Sequence, residues 1–186
     1  MSEKYLEIKM VSGLSGSGKS TVLRALEDAG YFCIDNLPAA LMVPFADLCD
    51  ERTDIQKVAL GVDVRSQEFF QGVDQALVEF DRRLYRVEVI FLDASDEVLM
   101  RRFSETRRPH PLAPYGDVLT GISEERKVTS ALRERADRIL DSSHMDVHEL
   151  RRLIRDHVAH VSDGEEPAMH LRVQSLPPRL SRVRWP

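Results

Sequence analysis

Two hydrophobic periodicities alternate along this chain of 186 residues. Short apolar runs of strand length are separated by longer segments in which apolar residues recur every three or four positions, as on one face of a helix. Such an alternation is typical of a parallel sheet with helices on both faces. The predicted strands are 6–11, 31–34, 58–64, 87–92 and 138–140, and the predicted helices are 21–29, 39–48, 67–84, 96–103, 123–135 and 146–161.

Several of these helix ends carry local signals. Gly30 stands where a glycine commonly ends a helix, and Ser95 or Asp96 can cap the start of the fourth helix. Ser123 can cap the fifth helix. The last helix should begin with a capping box, because an aspartate at 146 precedes a glutamate at 149.

Two segments lack helical periodicity. Residues 106–121 contain three prolines and two glycines, which predicts a long surface loop of the functional kind, such as a kinase-like lid. Residues 169–173 alternate apolar and polar side chains and predict an extra edge strand. We therefore expect one domain over 1–166, followed at 167–186 by this strand and an unfolded basic tail.

Composition restricts the class of protein. With 42% hydrophobic and 31% charged residues, the chain should fold as a single α/β domain without disulfides. Its two cysteines are too few for a zinc site, and no apolar run approaches the length of a membrane span. The net charge of −5, despite a basic tail, argues against generic nucleic-acid binding. We expect a cytoplasmic protein with no membrane contact.

The strongest chemical signal lies between the first predicted strand and the first helix. Residues 13–20 read GLSGSGKS and match the phosphate-binding pattern G-x-x-x-x-G-K-[ST]. Glycines let backbone N–H groups surround an anion at a helix N-terminus, Lys19 would reach the β- and γ-phosphates, and Ser20 would bind Mg²⁺. A plain turn is the alternative, but it does not require Lys-Ser. The predicted nucleotide contacts are Gly13, Leu14, Ser15, Gly16, Ser17, Gly18, Lys19 and Ser20.

A magnesium site of this kind needs a second oxygen ligand at the end of a neighbouring strand. Asp63 and Asp93 both follow apolar runs. Asp63 is favoured because Arg65 follows closely and would add a phosphate-binding cation at the same edge. For both aspartates the alternative is capping of the next helix, which fits Asp93 better.

Asp35 and Asn36 follow the second strand, so a parallel sheet would place them at the same edge as the phosphate loop. Asp35 could accept a proton from a hydroxyl or orient a water molecule. A turn residue before Pro38 is an equally good interpretation.

Arginines cluster around the start of the 106–121 loop. Arg107 and Arg108 precede a proline and so lie outside a regular helix, where a closing loop could bring them to a transferring phosphoryl group. For Arg101 and Arg102 a solvated helix face is equally plausible. His110, between two prolines, is weak evidence for catalysis.

The segment VIFLDASDEVLMRRFSETRR at 89–108 is similar to the strand, helix and lid of adenylate-kinase-like P-loop kinases. A closer resemblance covers about 8–175. It is to the RapZ/YvcJ family of bacterial nucleotide-binding proteins, also called RNase adapter proteins. The segments that carry it are GLSGSGKSTVLRALEDAGYFCIDNLP at 13–38, DVR at 63–65, FLDAS at 91–95, RRFSETRRPHPL at 101–112 and DSSHMDVHEL at 141–150.

The resemblance implies a P-loop NTPase fold with ATP bound at 13–20, GTP contacts at Asp63, Val64, Arg65 and Ser66, and hydrolysis of both nucleotides. Ser66 stands where many members have asparagine. Family members continue into a C-terminal domain that, in the RNA-adapter branch, binds small RNA and presents it to a ribonuclease. Here the sequence turns instead to LPPRLSRVRWP. We expect an isolated nucleotide-binding half, produced by truncation, by a frameshift or as a natural short form.

The predicted function is therefore Mg²⁺-dependent binding and slow hydrolysis of ATP and GTP, with Lys19, Asp63, Arg107 and Arg108 acting on the phosphates. One alternative is a small-molecule kinase that uses Asp35 as its base. The other is a non-catalytic module whose nucleotide state controls a partner. An RNA or ribonuclease partner would depend on the second domain, and the oligomeric state is left open.

Overall fold

A computed structural model describes residues 5–63, 67–113 and 115–162. Five strands form one sheet in the order β2-β3-β1-β4-β5, and all its pairs are parallel. This confirms the predicted α/β fold. The strands are β1 (Glu7–Gly13), β2 (Phe32–Ile34), β3 (Lys57–Gly61), β4 (Arg86–Asp93) and β5 (Arg138–Asp141). The helices are α1 (Lys19–Asp28), α2 (Ala39–Asp50), α3 (Gln67–Arg82), α4 (Asp96–Thr106), α5 (Val118–Arg135) and α6 (Val147–Ser162).

The central strand β1 is buried because helices cover both of its faces. Met10 points into one hydrophobic cluster with Phe80 of α3, to which α2 and α5 also contribute. Val11 points into a second cluster with Leu26 of α1 and Ile154 of α6. Adjacent side chains of a strand face opposite sides, so a run of consecutive apolar residues suits a strand buried on both faces. Because all the strands are parallel, their carboxyl ends lie at one edge of the sheet.

The predicted helix signals agree with the structure at three ends. Gly30 has a φ of +88° and follows Ala29, the C-cap of α1. Ser95 Oγ accepts a hydrogen bond from the Val98 amide at the start of α4. Asp146 and Glu149 form the capping box of α6. The Glu149 amide donates to Asp146 at 2.8 Å, and the Asp146 amide donates to Glu149 at 2.9 Å.

The predicted loop at 106–121 is too long, because helices occupy both of its ends. α4 continues to Thr106, and α5 begins at Val118 with Asp117 as its N-cap, so Ser123 is not the cap. Gly121 lies inside α5 at a position where only glycine fits, because a Cβ there would lie 2.4 Å from His110 Nδ1. The loop between the helices is therefore 107–117. The predicted edge strand at 169–173 and the 167–186 tail lie outside the described residues.

Two further expectations concern the cysteines and the membrane. Cys33 and Cys49 are both free thiols, and burial raises the pKa of each. Within the described part of the chain, every helix is too short or too polar to cross a bilayer.

Candidate functional site

The phosphate loop is a sharp turn from β1 into α1, and glycine is required at both ends of it. Gly13, the last residue of β1, has a φ of +141°, and a Cβ there would lie 2.2 Å from the Leu92 carbonyl oxygen on β4. The next amide, that of Leu14, donates to the same oxygen. Gly18 has a φ of +108° and is the N-cap of α1. The glycines therefore serve the turn itself, as the motif predicts.

The loop presents hydrogen-bond donors around a concave backbone. The amides of Gly16, Gly18 and Ser20 donate to no acceptor within the described residues. Lys19 Nζ lies 2.7 Å from the Gly13 carbonyl oxygen, so the ammonium group spans the same turn. Backbone donors at a helix N-terminus, together with a cation, make an anion-binding site.

Two polar side chains, Arg102 of α4 and Ser142 of the β5–α6 connection, contact the backbone of the phosphate loop. Arg102 donates to the Gly16 carbonyl at 2.9 Å and also to the carbonyl and hydroxyl of Ser142. Ser142 Oγ in turn donates to the Ser17 carbonyl at 2.7 Å. Burial, followed by the charge of Arg101, lowers the pKa of Arg102. Arg102 is thus a half-buried support of the loop rather than part of a solvated helix face.

A second support comes from α5. Glu125, only 2% exposed, accepts hydrogen bonds from the Ser15 amide at 2.8 Å and from the Ser15 hydroxyl at 2.7 Å. The fully buried His110 also approaches this carboxylate, with Nε2 3.3 Å from Glu125 Oε2, the oxygen that accepts from the Ser15 amide. Side chains from three parts of the fold, namely α4, α5 and the β5–α6 connection, therefore contact the phosphate loop.

The two candidate magnesium aspartates differ in their surroundings. Asp93 is already engaged, since its oxygens accept from Arg126 at 2.9 Å, from Arg133 at 3.2 Å and from the Ala94 amide at 2.8 Å. Asp63 lies two residues beyond β3 and is partly buried. β3 is hydrogen-bonded to β1, so Asp63 follows the strand next to the phosphate loop.

The Ser20 hydroxyl and the Asp63 carboxylate are the kinds of oxygen ligand that suit Mg²⁺, which also keeps several bound waters. No group of three or more His, Cys, Asp or Glu side chains that could hold a metal occurs among the residues described. Ser20 in the first turn of α1 and Asp63 after β3 carry oxygen atoms that could hold such an ion.

Asp35 follows β2 directly and is exposed at the same edge of the sheet. Its Oδ1 accepts from the Asn36 amide at 2.9 Å, and Asn36 has a φ of +55°. A Cβ at Gly61 would lie 2.3 Å from Asp35 Oδ1, so the carboxylate packs closely over the end of β3. Asp35 thus makes a local hydrogen bond of the turn before Pro38, at the same edge of the sheet as the phosphate loop.

The remaining predicted residues lie in the loops around this edge. Arg107, with a φ of +51°, ends α4, and both Arg107 and Arg108 are exposed. Val64, Arg65 and Ser66 lie outside the described residues.

The sequence of the whole region matches a known family. A family model described as the RapZ-like N-terminal domain covers residues 6–162. The chain belongs to this family. Among its relatives, a nucleotide-binding protein of Myxococcus xanthus is 50% identical over 149 residues, and one of Geotalea uraniireducens is 45% identical over 168 residues. These alignments cover 80% and 90% of this chain but only 52% and 58% of the relatives, so the chain spans little more than half their length.

Solved structures share the fold of this RapZ-like domain at low sequence identity. Shikimate kinase from Acinetobacter baumannii, in complex with shikimate, superposes with a TM-score of 0.56 at 16% identity, covering 87% of this chain and 96% of the kinase. A fungal RNA kinase gives a TM-score of 0.55 at 17% identity, covering 89% and 93%. The RapZ-like domain therefore has a P-loop kinase-like fold.

Sequence reasoning missed the supports of the phosphate loop in this RapZ-like domain. The sequence leaves two roles open for Arg102 and predicts no contact of Ser142 or Glu125 with the phosphate loop. For Glu125 a signal exists, because it falls on the same helical stripe as the buried residues Ile122 and Leu132. A carboxylate in an apolar stripe needs a buried polar partner. Ser142 offers no comparable signal, since its partner is a backbone carbonyl far away in the sequence.

Proposed function

We propose that this RapZ-like domain binds ATP and GTP with Mg²⁺ and hydrolyses them slowly. The observation that carries the proposal is the phosphate loop itself, with backbone donors of Gly16, Gly18 and Ser20 around a turn that Lys19 spans. Contacts from α4, α5 and the β5–α6 connection hold the loop in this shape, and a preorganised cradle binds an anion at a lower entropic cost than a flexible loop. The name nucleotide-binding protein, carried by relatives up to 50% identical, supports the same function.

Each candidate residue then has a role in charge stabilisation. Lys19 would leave the Gly13 carbonyl for the β- and γ-phosphates, while Ser20 and Asp63 would hold Mg²⁺. Asp93 is a poor alternative because Arg126 and Arg133 neutralise it. When bound, Mg²⁺ would supply positive charge at the phosphate oxygens.

Two further parts of the proposal lie around this centre. Arg107 or Arg108 would approach the γ-phosphate from the 107–117 loop, adding charge and excluding water. The residues 63–66 would contact GTP, as the family resemblance implies. An RNA or ribonuclease partner would bind the part of the relatives that this chain does not span. We also propose a cytoplasmic location for the domain.

A titration of ATP and GTP with and without Mg²⁺, followed by thermal unfolding, tests the proposal. A ligand at 100 times its dissociation constant stabilises the folded state by about 2.7 kcal/mol, which is easily detected. Lys19→Ala should abolish this stabilisation. The matched control is Lys127→Ala, which removes an exposed lysine of α5 paired with Glu124. Equal shifts in parent and Lys19→Ala would refute the role of Lys19, and no shift in the parent would refute nucleotide binding.

A small-molecule kinase is the second candidate, and the position of Asp35 favours it. The carboxylate lies at the carboxyl edge of the sheet, against the end of β3, where an acceptor hydroxyl could approach the γ-phosphate. Incubation with labelled ATP and a metabolite pool separates the two functions. A phosphorylated product that disappears in Asp35→Asn indicates a kinase, whereas inorganic phosphate alone indicates a hydrolase. A nucleotide switch would instead show a partner that distinguishes the diphosphate from the triphosphate form.

A further inference from the structure

A buried carboxylate joins the phosphate loop to the segment that carries the lid arginines. We call residues 107–113 the arginine segment. Glu125 Oε1 and Oε2 accept from the hydroxyl and amide of Ser15 on one side, and Oε2 lies 3.3 Å from His110 Nε2 on the other. With both side chains at most 2% exposed, water cannot replace either partner. Moving Ser15 or His110 away from Glu125 would therefore leave the buried carboxylate with fewer polar partners, which costs free energy.

The orientation of His110 is fixed by its other contacts. Its Nδ1 accepts a hydrogen bond from the Leu112 amide at 3.2 Å, so the ring proton lies on Nε2, the atom that faces Glu125. Its ring packs on Phe103 of α4 with the centroids 4.9 Å apart. Gly121 leaves room for the ring, since a Cβ there would overlap Nδ1.

One atom of this arrangement remains unsatisfied. His110 Nε2 forms no hydrogen bond of good geometry within the described residues, although a carboxylate oxygen lies within 3.3 Å. A small displacement of the arginine segment relative to Ser15 would complete that bond. Arg107 and Arg108 precede His110 by only three and two residues, so the same displacement moves their backbone.

We propose that His110 and Glu125 are positioning residues that couple the phosphate loop to the arginine segment, so that a nucleoside triphosphate bound at 13–20 sets the position of Arg107 and Arg108. The inference rests on the proposed function. Phosphate binding fixes the backbone at Ser15, Ser15 fixes the Glu125 carboxylate, and the carboxylate fixes His110. Neither residue contacts the nucleotide in this scheme.

Trypsin cleavage of the bond between Arg107 and Arg108 reports the position of the segment, because Pro109 protects the next bond. In the unaltered chain, saturating ATP or GTP with Mg²⁺ should slow this cleavage at least about fivefold, the lower end of typical coupling. His110→Phe keeps the ring against Phe103 but removes both nitrogens. It should lose the protection and bind nucleotide more weakly than the parent by about the same factor, because coupling between two equilibria is reciprocal. It should also lower kcat about tenfold, which is a larger change than the rise in KM.

Conservative variants distinguish positioning from a purely structural role. His110→Gln returns an N–H donor toward Glu125 and should restore part of the protection, whereas a structural defect would not be rescued. Glu125→Gln keeps the shape of the carboxylate and should also lose protection. The double variant His110→Phe/Glu125→Gln should be no worse than the poorer single variant, because both changes break one link. Lys127→Ala, two residues from Glu125, should behave like the parent.

The outcomes separate this inference from the proposed function. If the unaltered chain binds no nucleotide, the proposed function fails and the coupling fails with it. If the chain binds nucleotide but the Arg107–Arg108 bond is not protected, or if Glu125→Gln and His110→Gln both retain full protection, only the coupling is refuted. Glu125→Gln and His110→Gln suffice for this test if His110→Phe does not fold.

Discussion

The edge of the sheet formed by the amino ends of its strands and the edge formed by their carboxyl ends use buried polar groups in opposite ways. At the amino-terminal edge, Lys9 is 3% exposed and lies 2.9 Å from Glu7 and 2.6 Å from Glu88. Glu88 is also 2.8 Å from Arg138 and 2.9 Å from His157. At the carboxyl-terminal edge, Arg102 contacts the Gly16 carbonyl and Glu125 contacts the Ser15 amide, while other amides of the phosphate loop have no acceptor among the described residues.

The difference teaches how to distinguish a structural charge cluster from a binding site. In the amino-terminal cluster, each charge faces an opposite charge within 3 Å, so the fold itself satisfies the group. In the phosphate loop, Arg102 and Glu125 hold the backbone at Gly16 and Ser15, while the amides of Gly16, Gly18 and Ser20 have no acceptor among the described residues. Loss of the first arrangement should therefore lower stability, and loss of the second should lower nucleotide affinity.

The largest expected effect is on stability, in Lys9→Ala. Removal of the ammonium group takes the shared cation away from the half-buried carboxylates of Glu7 and Glu88, although Glu88 keeps Arg138 and His157 as partners. Leaving a fully buried charge without any partner costs about 3–5 kcal/mol, so we expect a loss near the lower end of that range. Urea unfolding of parent and variant measures the loss, and nucleotide affinity measured well below the melting temperature should not change. A large fall in affinity would show that the two edges are not independent.

Acid should remove nearly as much stability through Glu88. Burial alone would raise its pKa, but hydrogen bonds and charge from His157 and Lys9 outweigh burial and lower the pKa from 4.5 to about 2. Because the folded-state pKa is the lower one, this stabilisation is complete above pH 4.5 and is lost as the pH falls toward 2, by at most about 3 kcal/mol. Urea midpoints between pH 6 and pH 2, an interval of about four units around both pKa values, follow the loss.

Glu88→Gln provides the control for this pH dependence. The variant should be less stable than the parent near neutral pH, and the two stabilities should converge as the pH approaches the lowered pKa of Glu88. Parallel curves would mean that acid acts on other carboxylates instead.

The sequence predicted the fold well because the fold depends on periodic burial. Every strand and helix within the described residues was expected, and the errors are at ends, as with α5, which begins at Val118 rather than near Ser123. That start depends on Gly121 packing on His110, a contact between residues on different segments. Periodicity in one segment carries no information about such a contact.

The site was predictable only in its local part. The motif at 13–20 specifies a turn with glycine at defined positions, and Gly13 and Gly18 indeed adopt positive φ values there. Its supports come from residues 86 and 110 positions away in the sequence, as for Arg102 with Gly16 and Glu125 with Ser15. One sequence without an alignment offers no means of pairing them. The roles of Asp35, Asp63, Arg107 and Arg108 stay predictions.

Arg101 and Arg102 give a matched pair on adjacent positions of α4. Arg102→Ala removes bonds to Gly16 and Ser142, and charged hydrogen bonds of this kind contribute about 1.5–3 kcal/mol. We expect nucleotide affinity to fall about tenfold or more, since that energy then has to be supplied by the ligand. Arg101, 64% exposed and 3.9 Å from Glu105, should be replaceable by alanine without effect. Calorimetric titration measures both, and equal affinities would contradict the role of Arg102.

The smallest effect is expected for Ser142→Ala, which removes a single hydroxyl. That hydroxyl donates to the Ser17 carbonyl at 2.7 Å and accepts from Arg102 at 3.0 Å, so both neighbours lose one bond while keeping others. A neutral hydrogen bond contributes about 1 kcal/mol, equivalent to roughly fivefold in affinity. Ser143→Ala is the control, because its hydroxyl bonds to Asp141 and the Ser95 amide and does not touch the phosphate loop. If calorimetry gave Ser142→Ala and Ser143→Ala the same nucleotide affinity, support of the loop from the β5–α6 connection would be irrelevant to binding, and only the α4 and α5 supports would remain.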